Sequence, residues 1–272
     1  MRLASIHTYP IKGCRRLDHD GAQVEPWGLA GDRRWMLVDE DGVGVTQRET
    51  PALATLRPAV GADGLVLRAT NLPDLVLTEP VGGPRIDVRV FQHRAPVPAE
   101  LAGDGADEWF HAVLDRKVRL VWLGDPTRRA TNPDFSEPDD RVSFADGYPL
   151  LLTNVASLDV LNGWLRAGGD VEGLLPMTRF RPNVVISGAD PWAEDEWLGR
   201  RIRVGDVVLR VVKPCARCVV TTIDQETGES GRQPLQVLAR HRNLDQGLIF
   251  GMYLIPDKAG QIAVGDPVEL LP

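Results

Sequence analysis

The apolar positions of this chain come in short bursts separated by glycine, proline and charge. Residues 2–9 alternate weakly and predict a strand, closed by a turn at residues 9–13 where Pro10 and Gly13 stand. A short extended piece begins at Gln23 and Val24, and residues 28–31 form a turn. Residues 35–38 predict a strand that the DEDG run at 39–42 turns back into residues 43–46. Residues 53–58, 64–69, 74–77 and 85–91 predict further short strands. Their spacing of about ten residues is that of an antiparallel barrel or sandwich.

The rhythm changes near Pro96. Residues 106–114 have helical periodicity, with Trp109, Phe110, Val113 and Leu114 on one face. Residues 118–122 predict a strand, and the stretch 124–140, rich in Pro, Asp and Arg, predicts a long functional surface loop. A strand follows at 150–153, then an amphipathic helix at 157–166 with Ser157 as its N-cap. Residues 183–187, 202–204, 207–212 and 219–223 predict strands, 234–240 a short helix, and 249–255, 262–264 and 268–271 the closing strands. The segments IRVGDVVLRV at 202–211 and IAVGDPVELL at 262–271 echo each other, which predicts two equivalent hairpins. The class is mostly β with a few short helices, α+β.

Composition narrows this little. With 272 residues, the chain can bury a full core as one large domain or two ordinary ones. A net charge of -7 argues against nonspecific nucleic-acid binding, so any bound anion must meet a local basic patch. No run approaches the ~20 apolar residues of a spanning helix, and the first residues lack a signal-peptide core. The odd number of cysteines, 3, predicts a reduced cytoplasmic protein away from the membrane.

The candidate chemistry gathers at Cys215 and Cys218, with Lys213 before them and Arg217 between. Positive charge nearby favours a thiolate. A structural zinc site needs about four ligands, and no second Cys/His pair stands at metal spacing. A thioredoxin-like pair needs a helix after it, whereas Val219-Val-Thr-Thr-Ile is β-forming. Two inert buried thiols remain open, as does a thiolate ligating a metal whose other ligands come from a cofactor. Lys12, Arg33, Arg179, Arg181, Lys213 and Arg217 each read alone as a solvated charge; together they could line one anion pocket. Asp32 and Asp224 are candidate ligands or proton carriers, or turn carboxylates paired with an arginine. The histidines are isolated and receive no role.

At Tyr9–Gly13, Gly31-Asp-Arg-Arg-Trp35, Phe180-Arg-Pro-Asn183 with Val184–Gly188, Lys213–Asp224, Phe250-Gly-Met-Tyr253 and Val264-Gly-Asp-Pro267 the chain resembles the MOSC-domain family. The resemblance is to members with an N-terminal MOSC β-barrel module, such as the amidoxime-reducing components, and covers essentially the whole chain. It implies a β-barrel-like module over 1–95, a helical connection over 96–120 and a MOSC β-barrel domain over 121–272, with molybdenum cofactor between the modules. It implies that Cys218 gives its thiolate to the metal, with Arg217 and Asp224 as further catalytic groups. Cofactor contacts are implied at Lys12, Gly13, Arg33, Asp146, Gly147, Tyr148, Arg181, Asn183, Cys215, Ala216 and Tyr253. Pyridoxal phosphate is also admitted as a ligand of such a pocket. Gly13 and Gly147 stand where the family often has hydroxyl residues. The implied activity is reduction of N-hydroxylated substrates such as amidoximes, hydroxylamines and N-hydroxylated bases. With neither an iron–sulfur module nor a membrane anchor in the sequence, the electrons are expected from a separate ferredoxin, flavoprotein or cytochrome b5-like protein and its reductase. The alternative is a non-catalytic cofactor carrier, or a sulfur carrier with a cysteine persulfide.

Overall fold

The computed structural model of the protein describes residues 1–169, 172–245 and 247–272. The first strand, Arg2–Thr8, buries Leu3, Ile6 and Thr8. The alternation is imperfect because a bulge shifts the register between Leu3 and Ser5. This strand pairs antiparallel with Val184–Ser187 on one side and with Leu17–His19 on the other. The start of the chain is therefore built into a sheet made mainly of later strands. Across that sheet the order is Val268–Leu270, Arg201–Val204, Val207–Ala216, Gly247–Lys258, Leu150–Asn154, Val184–Ser187, Arg2–Thr8 and Leu17–His19.

The pair Leu150–Asn154 and Val184–Ser187 is parallel. Parallel neighbours need a crossover, and the helix Val155–Ala167 provides it. All of Leu150–Asn154 is buried, as expected for a strand covered on both faces. Smaller sheets join Trp35–Val38, Arg119–Trp122, Val97–Leu101 and Arg85–Val88; Gly260–Ala263, Gly21–Glu25 and Gly28–Leu29; and Arg57–Gly61, Gly64–Arg68 and Leu75–Leu77. The protein is mostly β with a few helices, but no closed barrel forms among the described residues, where barrel-like modules were expected.

Several local expectations are corrected. Residues 219–223 are not a strand: Val219–Thr222 is a 3-10 turn. The Thr221 hydroxyl donates to the Cys218 carbonyl and the Thr222 hydroxyl to the Val219 carbonyl, both at 2.8 Å, which closes the turn despite the β-branched side chains. Pro51 likewise starts a 3-10 turn, Pro51–Thr55, so the strand expected at 53 begins only at Arg57. The N-cap of the helix Val155–Ala167 is Asn154, whose side chain accepts from Ala156 N at 3.1 Å. Ser157 is instead buried one turn in, donating to the Glu194 carboxylate at 2.7 Å.

The sequence echo does not yield two equivalent hairpins. Arg201–Val204 and Val207–Ala216 do pair with each other. In the second copy, Gly260–Ala263 pairs with Gly21–Glu25 while Val268–Leu270 pairs with Arg201–Val204. Pro267 has no N–H for a ladder there, and the Asp266 side chain accepts from Ala263 N at 2.8 Å, so the chain leaves one sheet for the other.

Candidate functional site

The strand Val207–Ala216 buries Val207, Leu209, Val211 and, past a register shift at Lys213, Cys215, which is 1% exposed. Arg217 N then donates to the Leu248 carbonyl at 2.8 Å, and the 3-10 turn begins directly after Cys218. The two thiols therefore have different surroundings. Cys215 is packed: Arg217 Nη1 lies 2.7 Å from its Sγ, and Arg217 Nη2 donates to the Phe180 carbonyl at 2.6 Å. Burial and then the neighbouring Cys215 thiol push the Tyr253 phenol well above its ordinary pKa. Cys218 is half-buried and lines a cavity of about 190 Å3, with Arg48 Nη2 3.4 Å from its Sγ. Beneath this corner Phe180 and Phe250 stack with centroids 3.7 Å apart, inside a buried cluster with Leu161, Leu165 and Leu238.

Opposite the thiols stands a set of cations. Arg33 and Arg181 both pack on the Tyr9 ring, their guanidinium carbons 4.3 and 4.2 Å from its centroid. Both residues have positive φ, 46° and 53°, a conformation that costs of order 1 kcal/mol or more and persists only where the surroundings fix it. Arg33 donates to the fully buried Asp32 carboxylate, to Asn183 Oδ1 at 2.9 Å and to the Arg181 carbonyl at 3.4 Å. Asp32 also accepts from Tyr9 N at 2.7 Å. Arg181 donates to Gln225 Oε1 at 2.8 Å and to the Cys14 carbonyl at 2.9 Å; burial pushes its pKa down to about 10, which leaves it charged at neutral pH. Asn183 links strands, accepting from Leu151 N and donating to the His7 carbonyl, both at 3.2 Å.

Lys12 donates to the Phe144 carbonyl at 2.9 Å and to the Asp146 carboxylate. Burial outweighs that partner and pushes the Lys12 ammonium down to about 8. Burial alone would raise the Asp146 carboxyl; Lys12 and then Arg48 more than reverse this and hold it well below the usual carboxylate range. Arg129 supports the same loop by donating to the Ala145 carbonyl at 2.8 Å. Gly13 has φ 88°, and a Cβ there would meet Leu53 Cδ1 at 3.0 Å, so the backbone itself demands glycine. Gly147 carries no such demand: a Cβ would meet only Asn132 Cβ, at an ordinary 3.6 Å.

The cavity is walled by Lys12, Gly13, Arg33, Asp146, Tyr148, Arg181, Asn183, Cys215, Ala216, Arg217, Cys218 and Tyr253, all drawn from distant parts of the sequence. Gly147 and Lys213 line an adjoining cavity of about 650 Å3, which shares Thr46, Arg48, Asp146, Tyr148, Ala216 and Tyr253 with the first. Asp224 lines neither. It closes its own loop by accepting from Glu226 N at 2.8 Å, and it pairs with Arg179 at 3.2 Å. Arg179 in turn donates to the Thr222 carbonyl at 2.7 Å, so these two hold the turn that starts at Cys218. Thr46, Gln47, Arg48, Thr221 and Gln225 were not anticipated from sequence. Gln47 donates to the Gly13 carbonyl at 2.6 Å and to Gln225 Oε1 at 3.0 Å. Gln47 and Arg48 follow a predicted strand as ordinary loop polar residues, and no spacing marks them.

Five cations (Lys12, Arg33, Arg48, Arg181 and Arg217) face one carboxylate, Asp146, in the first cavity of a chain whose net charge is -7. The buried Tyr148 hydroxyl and Arg217 Nε have no hydrogen-bond partner among the described residues. Among those residues no group of three or more His, Cys, Asp or Glu side chains could hold a metal by itself. A half-buried thiol, unsatisfied polar atoms and surplus cations fit an anionic cofactor that brings a soft metal together with most of that metal's ligands.

Comparison with known proteins gives the family. Residues 1–117 match the MOSC N-terminal beta barrel domain and residues 139–269 the MOSC domain. Mitochondrial amidoxime-reducing component 1 of Mus musculus is 35% identical and that of Homo sapiens 32%, each match covering 99% of this chain and 82% of the relative. Mitochondrial amidoxime reducing component 2 of Bos taurus is 32% identical, with 98% and 82% covered. The chain belongs to the MOSC-domain family, in the group that carries the N-terminal MOSC module and includes the amidoxime-reducing components.

Proposed function

We propose that this protein is a molybdenum-cofactor-dependent oxidoreductase that reduces N-hydroxylated compounds, amidoximes and hydroxylamines among them, with electrons from a separate donor protein. The observation that carries the proposal is the Cys218 thiol standing in the wall of a cavity with five cations. The names of its relatives point to the same chemistry. When bound, the cofactor supplies a two-electron metal centre able to accept an oxygen atom. Overall, the N–O bond breaks, two electrons and two protons enter, and the reduced nitrogen product and water leave.

The chain's own residues supply binding and order. Cys218 would be the metal's protein ligand. Lys12, Arg33 and Arg181, with the backbone at Gly13, would hold the cofactor's phosphate; Asn183, Ala216, Tyr253 and the Asp146–Gly147–Tyr148 loop would border its polar ring. Arg217 acts by holding the strand end, since it ties Cys215 to the Phe180 carbonyl. Asp224 acts at one remove, through Arg179 and the Thr222 carbonyl. Both are positioning residues in this reading. A division into modules over 1–95 and 121–272 joined through 96–120, a cytoplasmic location, and a donor of ferredoxin, flavoprotein or cytochrome b5 type with its reductase complete the proposal. No helix among the described residues is long and apolar enough to cross a membrane.

The test is purification from cells supplied with molybdate, followed by metal analysis and benzamidoxime reduction with reduced methyl viologen. Bound molybdenum and formation of benzamidine are expected. Protein that carries the cofactor yet forms no benzamidine would overturn the activity.

A further inference from the structure

Beyond its shared wall and Gly147, the cavity adjoining the thiol site is not used by any residue role above. At about 650 Å3 it lies within the range of roughly 300–1,000 Å3 usual for small-molecule sites. Its charges are unevenly committed. Of its carboxylates, Glu49 accepts from Thr46 N at 3.0 Å and from the Thr46 hydroxyl at 2.8 Å, while Asp146 is held by Lys12 and by Arg48 at 3.7 Å. Two of its cations, unlike Arg48, lack an acidic partner. Arg94 and Lys213 form no ion pair among the described residues, and the buried Arg94 Nε has no hydrogen-bond partner there. Phe91 and His93 stack with their planes 1° apart in the wall, and Lys12 lies over the Phe91 ring at 5.3 Å. Arg48 lies over Phe91 at 5.3 Å and also reaches the Cys218 thiol, so it joins this wall to the thiol cavity.

We infer that this cavity is a substrate subsite selecting N-hydroxylated compounds with an anionic substituent, which Arg94 and Lys213 bind; the inference rests on the reductase reading above. An anion is the ligand that satisfies two unpaired cations and an orphaned guanidinium N–H in a wall whose carboxylates are already engaged. The rest of such a substrate would extend from that anion toward Arg48 and the thiol cavity. Neutral substrates would still enter, without the charge-assisted contacts.

The matched probes are benzamidoxime and 4-carboxybenzamidoxime, used with the molybdenum-loaded full chain. The carboxylate is expected to raise kcat/KM roughly tenfold to a hundredfold, chiefly through KM, and the preference should shrink as salt rises. In the Arg94→Gln/Lys213→Gln double variant the ratio should fall to within about twofold of unity. Equal kcat/KM for the two probes in the wild type, or a preference that survives in the double variant, overturns the inference. So does loss of bound molybdenum in the double variant, since the two cations would then hold the cofactor. Calorimetric binding of the two probes separates this from failure of the activity. If neither is reduced but the carboxylate binds more tightly and the double variant abolishes that difference, the subsite stands and the reductase reading falls. If neither is reduced and neither binds preferentially, both fall.

Discussion

Two groups of cations face one cleft and are held in opposite ways. Arg33 and Arg181 pack on Tyr9, adopt strained backbones, and spend their donors on Asp32, Asn183, Gln225 and main-chain carbonyls. Among the described residues Arg94 and Lys213 in the neighbouring cavity form no ion pair, and Lys213 lies over the Phe135 ring at 4.7 Å. The first group has its geometry fixed by the fold, which suits a ligand that never changes, because the ordering cost is met before binding.

The largest expected contrast is in stability. Arg33→Met leaves Asp32 fully buried without its cation, which should cost about 3–5 kcal/mol. Thermal unfolding should show a Tm loss of roughly 10 °C. Arg94→Met should stay within about 0.5 kcal/mol of wild type. Equal losses in the two variants would erase the distinction between the groups.

Backbone demand gives the next contrast. Gly13→Ser places a side chain at φ 88° against Leu53 and should cost of order 1–3 kcal/mol. Gly147→Ser meets only ordinary contact and should change stability by less than about 0.5 kcal/mol. Denaturant midpoints of the two variants check this.

The acid–base contrast is smaller. Lys12 has its pKa lowered from 10.5 to about 8, so below about pH 8 it is charged in both folded and unfolded chains. Between pH 8 and 10.5 only the unfolded chain holds the extra proton, so this group adds stability as pH rises through that window. Anion binding runs the other way: sulfate affinity should fall severalfold as pH climbs past about 8. Lys12→Met should remove that dependence, leaving the arginines to bind weakly at every pH; titration calorimetry across pH reads it. A small effect is also expected at Arg48, 3.4 Å from Cys218: Arg48→Gln should change unfolding free energy by less than about 1 kcal/mol, measured by denaturant titration.

Much of this site could be read before the structure, for a local reason. Lys12, Arg33, Arg181 and the cysteine pair each sit in short runs whose glycine, proline and asparagine neighbours mark turns at strand ends. What could not be read is convergence. Arg48 and Gln225 are unremarkable loop residues until residues 47 and 225 meet across 178 positions of chain. Local chemistry also misled at Val219–Thr222, where β-branched residues favour a strand and two threonine hydroxyls bonding back to carbonyls enforce a turn. That turn matters for function, because it lets Cys218 face the cavity while Cys215 stays in the sheet. The echo at 262–271 failed for a related reason: a repeated Gly-Asp turn does not fix pairing once proline removes a ladder donor.

The inequality of the two thiols is the central claim, and metal content per chain tests it most directly. Wild type, Cys215→Ala and Cys218→Ala should be expressed together under molybdate supply and measured by elemental analysis. Wild type and Cys215→Ala should hold molybdenum in roughly equimolar amount, and Cys218→Ala only a small fraction of it. Equimolar molybdenum in Cys218→Ala, or its loss in a folded Cys215→Ala alone, would contradict the assignment.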